Sequence, residues 1–410
     1  MNLSRLIEYA SVSIGQGAPQ KSDDFSKEGN PFIRAGSLES LTNNGTLDSL
    51  EFISDESAKR NKLKLYPADS VVFAKSGMSA TKDRVYKLTR SCYVVSHLAV
   101  LLPNEKTHPD YLRLVLQRSK PSTLIKDPAY PSISQGDIEN FKLPFPPLDD
   151  QIRIATVLTR AERLIAKRKE GIKALDELLK SIFLEMFGSG EKWETEKLSG
   201  VSEIVSGVTK GKKYADKELF EIPYMRVANV QDGHLILDEI KTIAVTKEEI
   251  DRYLLKAGDI LLTEGGDPDK LGRGTVWNNE ISKCIHQNHI FRVRVNAERI
   301  NPIYLSTLIG SFYGKKYFLR AAKQTTGIAS INSTQLKKFP VIIPPLPLQN
   351  KFADIVEKVE SIKAKQTQSL AELENLYASL SQRAFKGELD LDRVLVETQD
   401  IASLRSRLAT

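Results

Sequence analysis

The segments Pro146-Pro147-Leu148-Asp149-Asp150-Gln151 and Pro344-Pro345-Leu346-Pro347-Leu348-Gln349 share one pattern, and 198 residues separate them. The same offset relates Ser132-Ile133-Ser134, a short way upstream of the first segment, to Ser330-Ile331-Asn332. A period of this length is too long for a solenoid unit. The repetition therefore predicts a duplicated domain, each copy followed by a duplicated connector.

The aligned series extends toward the N-terminus with a shorter offset. Cys92 aligns with Cys284, and His97 aligns with His289, both at an offset of 192 residues. Insertions in loops produce such a drift, whereas chance does not produce an ordered series. The duplication therefore covers nearly the whole chain.

Composition limits the class of protein. The chain has 410 residues, of which 41% are hydrophobic and 27% charged, which is typical of a globular protein with two or three domains. It lacks an apolar run of about 20 residues and a signal-peptide pattern at its start. Two cysteines build neither a disulfide framework nor a closed zinc site, so we expect a cytoplasmic protein. The net charge of +7 permits a nucleic-acid partner without indicating one.

Each copy is predicted to be a globular domain of mixed α/β (α+β) type followed by a long helix. Short apolar runs such as Ser70–Ala74, Leu98–Leu102, Asp259–Thr263 and Ile290–Val295 are typical of strands, and we expect one strongly bent sheet per domain. Helical patterns cover Tyr111–Gln117 and Tyr304–Arg320. The predicted boundaries are 1–145 and 189–343 for the domains, 146–188 and 344–387 for the helices, and 388–410 for a C-terminal tail.

The two long helices carry matching heptad seams, with apolar residues spaced alternately by three and four. The first seam comprises Ile154, Leu158, Ala161, Ile165, Arg168, Ile172, Leu175, Leu179 and Ile182, and the second comprises Phe352, Val356, Val359, Gln366, Leu370, Leu373, Tyr377 and Leu380. Both seams are polar near the middle, where Arg168 and Gln366 are equivalent. Two such helices, each about 57 Å long, most simply pack on each other as an antiparallel coiled coil that holds the two domains apart. The alternative is that each seam packs only on its own domain.

The duplicated order resembles the specificity subunit of type I DNA restriction–modification systems. The resemblance rests on the two Pro-Pro-Leu-x-x-Gln segments, each opening a heptad helix, and on the Ser-Ile element before each of them. It implies two target-recognition domains, each reading one half of a bipartite site in double-stranded DNA. It also implies helices that set the gap and dock two methyltransferase subunits, with restriction/translocase subunits joining for cleavage. The chain would then be non-catalytic, and S-adenosylmethionine, ATP and Mg²⁺ would bind in the partner subunits.

One position departs from the family pattern. The second helix opens with Pro347-Leu348, where the family has an acidic pair and the first helix has Asp149-Asp150. The first turn of the second helix therefore lacks the N-cap that either aspartate offers.

Several motifs suggest catalysis without completing a site. Asp127-Pro128-Ala129-Tyr130 resembles the motif of amino-methyltransferases, but its second proline is replaced and the other repeat has no equivalent. The Gly-rich segment Glu264–Gly274 lacks the Gly-Lys-Ser/Thr ending of a phosphate-binding loop. His286-Gln287-Asn288-His289 has no carboxylate or cysteine cluster beside it, and we interpret His289 as a structural histidine. No metal site is predicted for that reason. No nuclease site is predicted either, because Glu239-Ile240-Lys241 lacks the preceding acidic residue that a nuclease of this type requires.

Candidate DNA-contacting residues are the polar side chains of the predicted loops and of the segments leading into the Ser-Ile elements. In the first copy they are Lys75, Ser76, Lys82, Arg84, Arg118, Lys126, Tyr130 and Ser132. In the second copy they are Lys270, Arg273, Gln287, Asn288, Lys316, Arg320, Lys323, Thr325, Thr326 and Ser330. The spacing of Lys316, Arg320 and Lys323 predicts one helical stripe. The alternative for all of these side chains is an ordinary solvated surface.

Two other functions compete with DNA recognition. A self-sufficient DNA methyltransferase or endonuclease would bind its cofactor as a purified chain. A coiled-coil scaffold protein would not retard duplex DNA, even at low salt.

Overall fold

The computed structural model describes residues 3–188, 192–214, 217–266, 271–325 and 328–394. The chain divides into two compact units. Unit 1 comprises the residues up to Glu170 together with those from Thr367 onward, and unit 2 comprises Gly171–Gln366. Each unit therefore contains one globular domain and parts of both long helices.

The elements of unit 1 begin with a three-residue strand and end with a long helix that continues into unit 2. The strands are β1 (Leu3–Arg5), β2 (Ala10–Ile14), β3 (Asn30–Ile33), β4 (Phe52–Ile53), β5 (Val71–Ala74), β6 (Val85–Lys87), β7 (Tyr93–Val94), β8 (Leu98–Pro103) and β9 (Lys142–Pro144). The helices are α1 (Ser37–Thr42), α2 (Asp55–Arg60), α3 (Pro109–Ser119), α4 (Gln135–Glu139) and α5 (Leu148–Phe187).

Unit 2 follows the same order with a few additions, and a 3₁₀ turn (Val227–Asn229) takes the place of α1. Its strands are β10 (Glu194–Lys197), β11 (Ser202–Ser206), β12 (Phe220–Met225), β13 (Lys241–Val245), β14 (Ile260–Thr263), β15 (Gly265–Gly266), β16 (Gly274–Val276), β17 (Ile285–His286), β18 (Ile290–Val295), β19 (Lys323–Thr325), β20 (Ile328–Ser330) and β21 (Pro340–Ile343). Its helices are α6 (Leu198–Val201), α7 (Lys247–Tyr253), α8 (Pro302–Gly310), α9 (Phe312–Ala321), α10 (Ser333–Lys337) and α11 (Leu346–Lys386), the last of which ends in unit 1.

Three sheets of the same topology occur in both units. Unit 1 has an antiparallel sheet of order β2-β8-β5-β6, a sheet of order β4-β3-β7 and the pair β1-β9. Unit 2 repeats these as β11-β18-β14-β16, β13-β12-β17 and β10-β21. In the three-stranded sheets, β3 and β7, like β12 and β17, pair in parallel. The duplication inferred from sequence is therefore a duplication of structure.

The expectation of one strongly bent sheet per domain is wrong, because a tight turn carries the chain from one sheet to another. β7 and β8 are separated by Val95-Ser96-His97, and the amide of Leu98 donates to the carbonyl of Val95 at 3.0 Å. In unit 2 the amide of Ile290 donates to the carbonyl of Gln287 at 2.9 Å. The strands on either side of each turn belong to different sheets.

The central strands are buried on both faces, which explains their uninterrupted apolar sequences. In β5, Val71 and Phe73 face a core that includes α3 and the beginning of α5, whereas Val72 and Ala74 face a second core that includes β3. The four-stranded sheet is thus the middle layer of its domain. Unit 2 has the same layering, with Ile260 and Leu262 on one face and Leu261 on the other.

The long helices run antiparallel within each unit, as the seams predict. In unit 1, Lys169 of α5 forms an ion pair with Glu374 of α11 at 2.7 Å. In unit 2, the rings of Phe183 and Phe352 lie 5.4 Å apart in an edge contact. Side chains at the seam positions named above are buried or half-buried. The ends of the seams also pack on the globular domains, since Leu158 belongs to the core of unit 1.

The helix predicted over Tyr304–Arg320 is two helices. Ser311 interrupts it, because the Ser311 side chain accepts a hydrogen bond from the amide of Gly314 and so caps the start of α9. α9 ends at Ala321, and Lys323 begins strand β19. The predicted stripe of three basic residues is therefore wrong at Lys323, which is not helical.

Candidate nucleic-acid interface

In each unit, three chain segments meet at one residue that directly follows a central strand. In unit 1 this residue is Lys75: its amide donates to the carbonyl of His97 at 2.9 Å, and its carbonyl accepts from the amide of Ile133 at 2.8 Å. In unit 2, Glu264 makes the same two bonds to His289 and Ile331, at 3.0 and 2.8 Å. We call this arrangement the three-segment junction. It joins the strand end, the turn between the two sheets and the Ser-Ile element.

The two junctions differ in how far the chain continues in extended pairing. In unit 1 a single bridge joins Ser76 to Ser132. In unit 2 the equivalent residues form β15, which pairs with β20 as part of the sheet β15-β20-β19. Gly265 permits this approach, because a Cβ atom there would lie 2.9 Å from the carbonyl oxygen of Ala329. The glycine-rich segment thus brings two backbones together, as its sequence suggests.

Each junction presents one anchored histidine to solvent. Nδ1 of His97 lies 2.8 Å from the hydroxyl of Ser76. Nδ1 of His289 lies 2.7 Å from a carboxylate oxygen of Glu264, and the His289 side chain is 57% exposed. The hydrogen bonds agree with our interpretation of His289 as structural. The exposure of both rings does not agree with that interpretation, since a histidine that packs in the core is buried.

The basic candidates of unit 1 divide into exposed and engaged side chains. Lys82 and Arg118 are exposed, and Lys126 is 78% exposed although it forms an ion pair with Asp137. Arg84 is half-buried and lies 2.7 Å from Glu39. An arginine engaged in this way is less available to DNA.

The other candidates of unit 1 lie around the junction. Ser132 is exposed, and Lys75 and Ser76 are half-buried. Tyr130 is 82% exposed. The next residue, Pro131, accepts a hydrogen bond at its carbonyl from the amide of Gly77, at 2.9 Å. The junction of unit 1 is therefore bordered by a free aromatic side chain.

The candidates of unit 2 are more dispersed. Arg273 donates to the side chain of Gln231 at 3.0 Å and is half-buried. Lys316 and Arg320 are exposed on α9. The side chains of Gln287, Asn288 and Ser330 are half-buried. Among the predicted candidates, Lys270 and Thr326 lie outside the described residues, and so do the side chains of Lys323 and Thr325.

The sequence analysis overlooked one exposed aromatic residue in unit 2. Phe312, the first residue of α9, is 81% exposed, and the amine of Lys316 lies 6.0 Å from its ring centroid. The sequence contains a signal for this contact, because residues four apart, such as Phe312 and Lys316, lie on the same face of a helix. The sequence analysis missed this contact because it predicted one continuous helix, which places Phe312 in the middle of the helix instead of at its exposed start.

The sequence analysis also assigned no role to the glutamine that ends each Pro-Pro-Leu-x-x-Gln segment. Gln151 is buried, accepts a hydrogen bond from the amide of His108 and donates to the carbonyls of Lys106 and Pro146, at 2.9–3.0 Å. Gln349 makes the equivalent three bonds in unit 2. The motif therefore fastens the start of each long helix to the loop that precedes α3 or α8.

The residues that suggested catalysis have ordinary structural roles. A carboxylate oxygen of Asp127 accepts from the amide of Ala129, forming a local turn. His286 is fully buried, and burial lowers its pKa to about 4. Cys92 and Cys284 are also buried, which raises the pKa of each thiol to about 12. Among the described residues, His, Cys, Asp and Glu side chains form no cluster suited to a metal ion.

Comparison with known proteins agrees with this duplicated construction. The sequence model of the type I restriction modification DNA specificity domain matches residues 3–174 and 190–375, which is most of both repeats. The chain belongs to this family. It is 24% identical over 391 residues to the type I restriction enzyme EcoKI specificity subunit of Escherichia coli K12, covering 88% of this chain and 82% of the relative. It is 23% identical over 390 residues to the StySPI specificity subunit of Salmonella potsdam, with the same coverage.

Solved structures give the same fold. The S subunit of the type I restriction-modification system from M. genitalium superposes with a TM-score of 0.56 and 12% identity, covering 93% of this chain and 95% of that one. None of the helices among the described residues is long and apolar enough to span a membrane.

Proposed function

We propose that this specificity-family chain is a non-catalytic DNA-binding subunit, in which each globular domain reads one half of a bipartite duplex target. The observation that carries the proposal is the three-segment junction, which is built twice with the same backbone bonds at Lys75 and Glu264. The side chains around the two junctions differ, which is what two different half-sites require. Exposed lysines and arginines would supply phosphate contacts, and loop side chains would read base edges.

The flank of the helix pair supports the docking of partner subunits. Leu164 and Leu178 of α5 are 49% and 45% exposed, and their equivalents 198 residues later, Ile362 and Leu376 of α11, are 46% and 50% exposed. Large apolar side chains exposed at matched positions indicate a binding surface. We define Leu164 with Leu376 as the unit 1 docking pair and Leu178 with Ile362 as the unit 2 docking pair.

Each docking pair lies on one side of the helix pair. Leu164 directly precedes the seam residue Ile165, and Leu376 directly precedes Tyr377, so both occupy the same heptad position. In an antiparallel pair this position of both helices faces the same flank, opposite the flank that carries the ion pair of Lys169 with Glu374. One methyltransferase subunit on each docking pair gives two such subunits per chain. Restriction/translocase subunits would join this assembly.

The chemistry belongs, in this proposal, to the partner subunits. S-adenosylmethionine would bind in the methyltransferase subunits, and ATP and Mg²⁺ in the translocase subunits. This chain would supply position: it selects the duplex sequence and holds the catalytic subunits over it.

The test is a map of methylated adenines in the genome that encodes the chain. The proposal expects a motif of two short sequences separated by a fixed gap, lost when the gene is deleted and restored when the gene is returned. Replacing residues 192–343 by those of a relative with a different target should change one half of the motif only. A single uninterrupted motif, or a motif that survives the deletion, would contradict the proposal.

A further inference from the structure

The two anchored histidines, His97 and His289, occupy equivalent positions in the two units, although different residues surround them. His97 and His289 occupy equivalent turns between two sheets, and both rings are exposed. Their anchors are different residues at different positions. Ser76, the second residue after its strand, holds His97, whereas Glu264, the first residue after its strand, holds His289.

This pattern does not fit a role in the core. A side chain conserved for packing is buried, and its neighbours are apolar. Here the ring projects into solvent, and its polar anchor fixes Nδ1. Since Nδ1 and Nε2 lie on different sides of the imidazole, the anchor turns the edge that carries Nε2 away from its own bond. In His289 this nitrogen lies 3.5 Å from the side-chain nitrogen of Asn288, a long contact that a ligand oxygen would replace.

The ligand must be common to two surfaces that otherwise differ. Under the proposed function, the two domains face different base sequences. The sugar–phosphate backbone is the part of the duplex that both half-sites present in the same form. A shared donor on two recognition surfaces therefore points to phosphate, whereas residues that differ between the repeats, such as Ser96 and Asn288, suit the bases.

We propose that His97 and His289 each donate a hydrogen bond from Nε2 to a phosphate oxygen of their own half-site. Because the turn that carries each histidine is bonded to the strand end and, through it, to the Ser-Ile element, this contact fixes the register of the whole junction on the duplex. A carboxylate only accepts, so the contact of His289 uses the ring with hydrogen on both nitrogens. The inference rests on the proposed DNA-binding function and assigns two positioning residues within it.

The test uses the full chain assembled with its methyltransferase partners, and duplexes with and without the mapped target. We expect His97→Ala and His289→Ala each to weaken binding about tenfold, as for the loss of one hydrogen bond to a charged group. Because the contact is to phosphate, the loss should be equal for target and non-target duplexes. The matched control is His234→Ala, an exposed histidine of unit 2 that lies in another loop.

A second measurement identifies the phosphate. Neutral methylphosphonate linkages are introduced one at a time along the target. One linkage in one half-site should weaken the wild type as much as His97→Ala does and should have no further effect on that variant, and a linkage in the other half-site should behave in this way with His289→Ala. Additive losses at every linkage, losses confined to the target duplex, or variants that bind like the His234→Ala control would overturn the inference. A wild-type complex that does not distinguish target from non-target DNA would instead overturn the proposed function.

Discussion

At the scale of single residues, Gln151 and Gln349 explain why the helix-opening segment recurs. Each glutamine satisfies one backbone amide and two backbone carbonyls in a region with little access to water. No other residue type offers both donors and an acceptor with this reach and without charge. The aspartates that precede Gln151 are absent before Gln349, which shows that the glutamine rather than an acidic first turn is the common element.

Replacing Gln151 by leucine should lower the free energy of unfolding by about 2–4 kcal/mol, because three buried backbone groups lose their partner. The midpoint of urea denaturation, compared at equal slope, measures the change. Gln382→Leu is the matched control, since Gln382 is an exposed glutamine of α11. Equal midpoints for the two variants would show that the three bonds add nothing to stability.

His286 should make the stability of unit 2 depend on pH. Burial lowers its pKa to about 4 in the folded chain, against about 6.5 in an unfolded chain. The unfolded state therefore binds a proton first as the pH falls below 6.5, so stability decreases between pH 6.5 and 4, by about 3 kcal/mol at most.

The first repeat offers the substitution that tests this effect. Val94 occupies the position equivalent to His286. His286→Val should remove the part of the pH dependence that lies between pH 6.5 and 4, as followed by thermal unfolding at several pH values. The first domain keeps its own buried histidine, His108, so a residual dependence from unit 1 is expected. An unchanged profile for His286→Val would show that His286 is not its source.

At the scale of elements, the exposed flank of the helices should bind partners without contributing to stability. The double variant Leu164→Ser with Leu376→Ser removes the unit 1 docking pair. We expect it to lower affinity for the methyltransferase subunit at one of two sites by at least tenfold, while thermal unfolding changes little, because both side chains are already exposed. Titration calorimetry measures the number of sites and their affinity.

Leu184→Ser is the control for the docking pair. Leu184 is 62% exposed on α5, and the equivalent position on α11 is the polar residue Gln382. It should leave both sites intact. If the double variant also binds two subunits with wild-type affinity, the docking surface lies elsewhere.

The elements differ in how well the sequence predicts them. The heptad seams succeed because the spacing of Ile154, Leu158 and Ala161 directly encodes a helix face. The boundary at Ser311 was missed because its signal is a single capping side chain inside an apolar run. The division into separate sheets was missed because a turn of three residues, such as Val95–His97, has no compositional mark.

The candidate site was harder to predict than the fold, for a physical reason. Sequence shows which residues are basic but not which of them are already engaged, as Arg84 is with Glu39 and Arg273 is with Gln231. Engagement depends on contacts between residues distant in the chain. The predicted DNA-contacting residues remain predictions for this reason.

At the scale of the whole molecule, the length of the helices should determine the gap between the half-sites without affecting the bases that each half-site contains. Duplicating residues 165–171 in α5 and the equivalent 363–369 in α11 adds one heptad to each seam, or about 10 Å of helix. Methylation mapping should then show a longer gap between two unchanged half-sites. Duplicating only four residues in each helix is the control, since it shifts the seam out of register and should abolish methylation. Altered bases in either half-site would contradict this division of labour.

Unit 1 is built from two segments that are distant in the chain, and this has a consequence for biosynthesis. Its core includes Ala384, with Tyr377 and Leu380 packed against it, although the rest of that core lies before residue 160. On the ribosome, the first domain emerges long before the segment that covers its apolar surface, whereas unit 2 is complete once Gln366 has been made. The domain that is translated first is therefore the last to be finished. A nascent chain that stops before α11 therefore leaves this apolar surface exposed, and exposed apolar surface is what chaperones and proteases recognise.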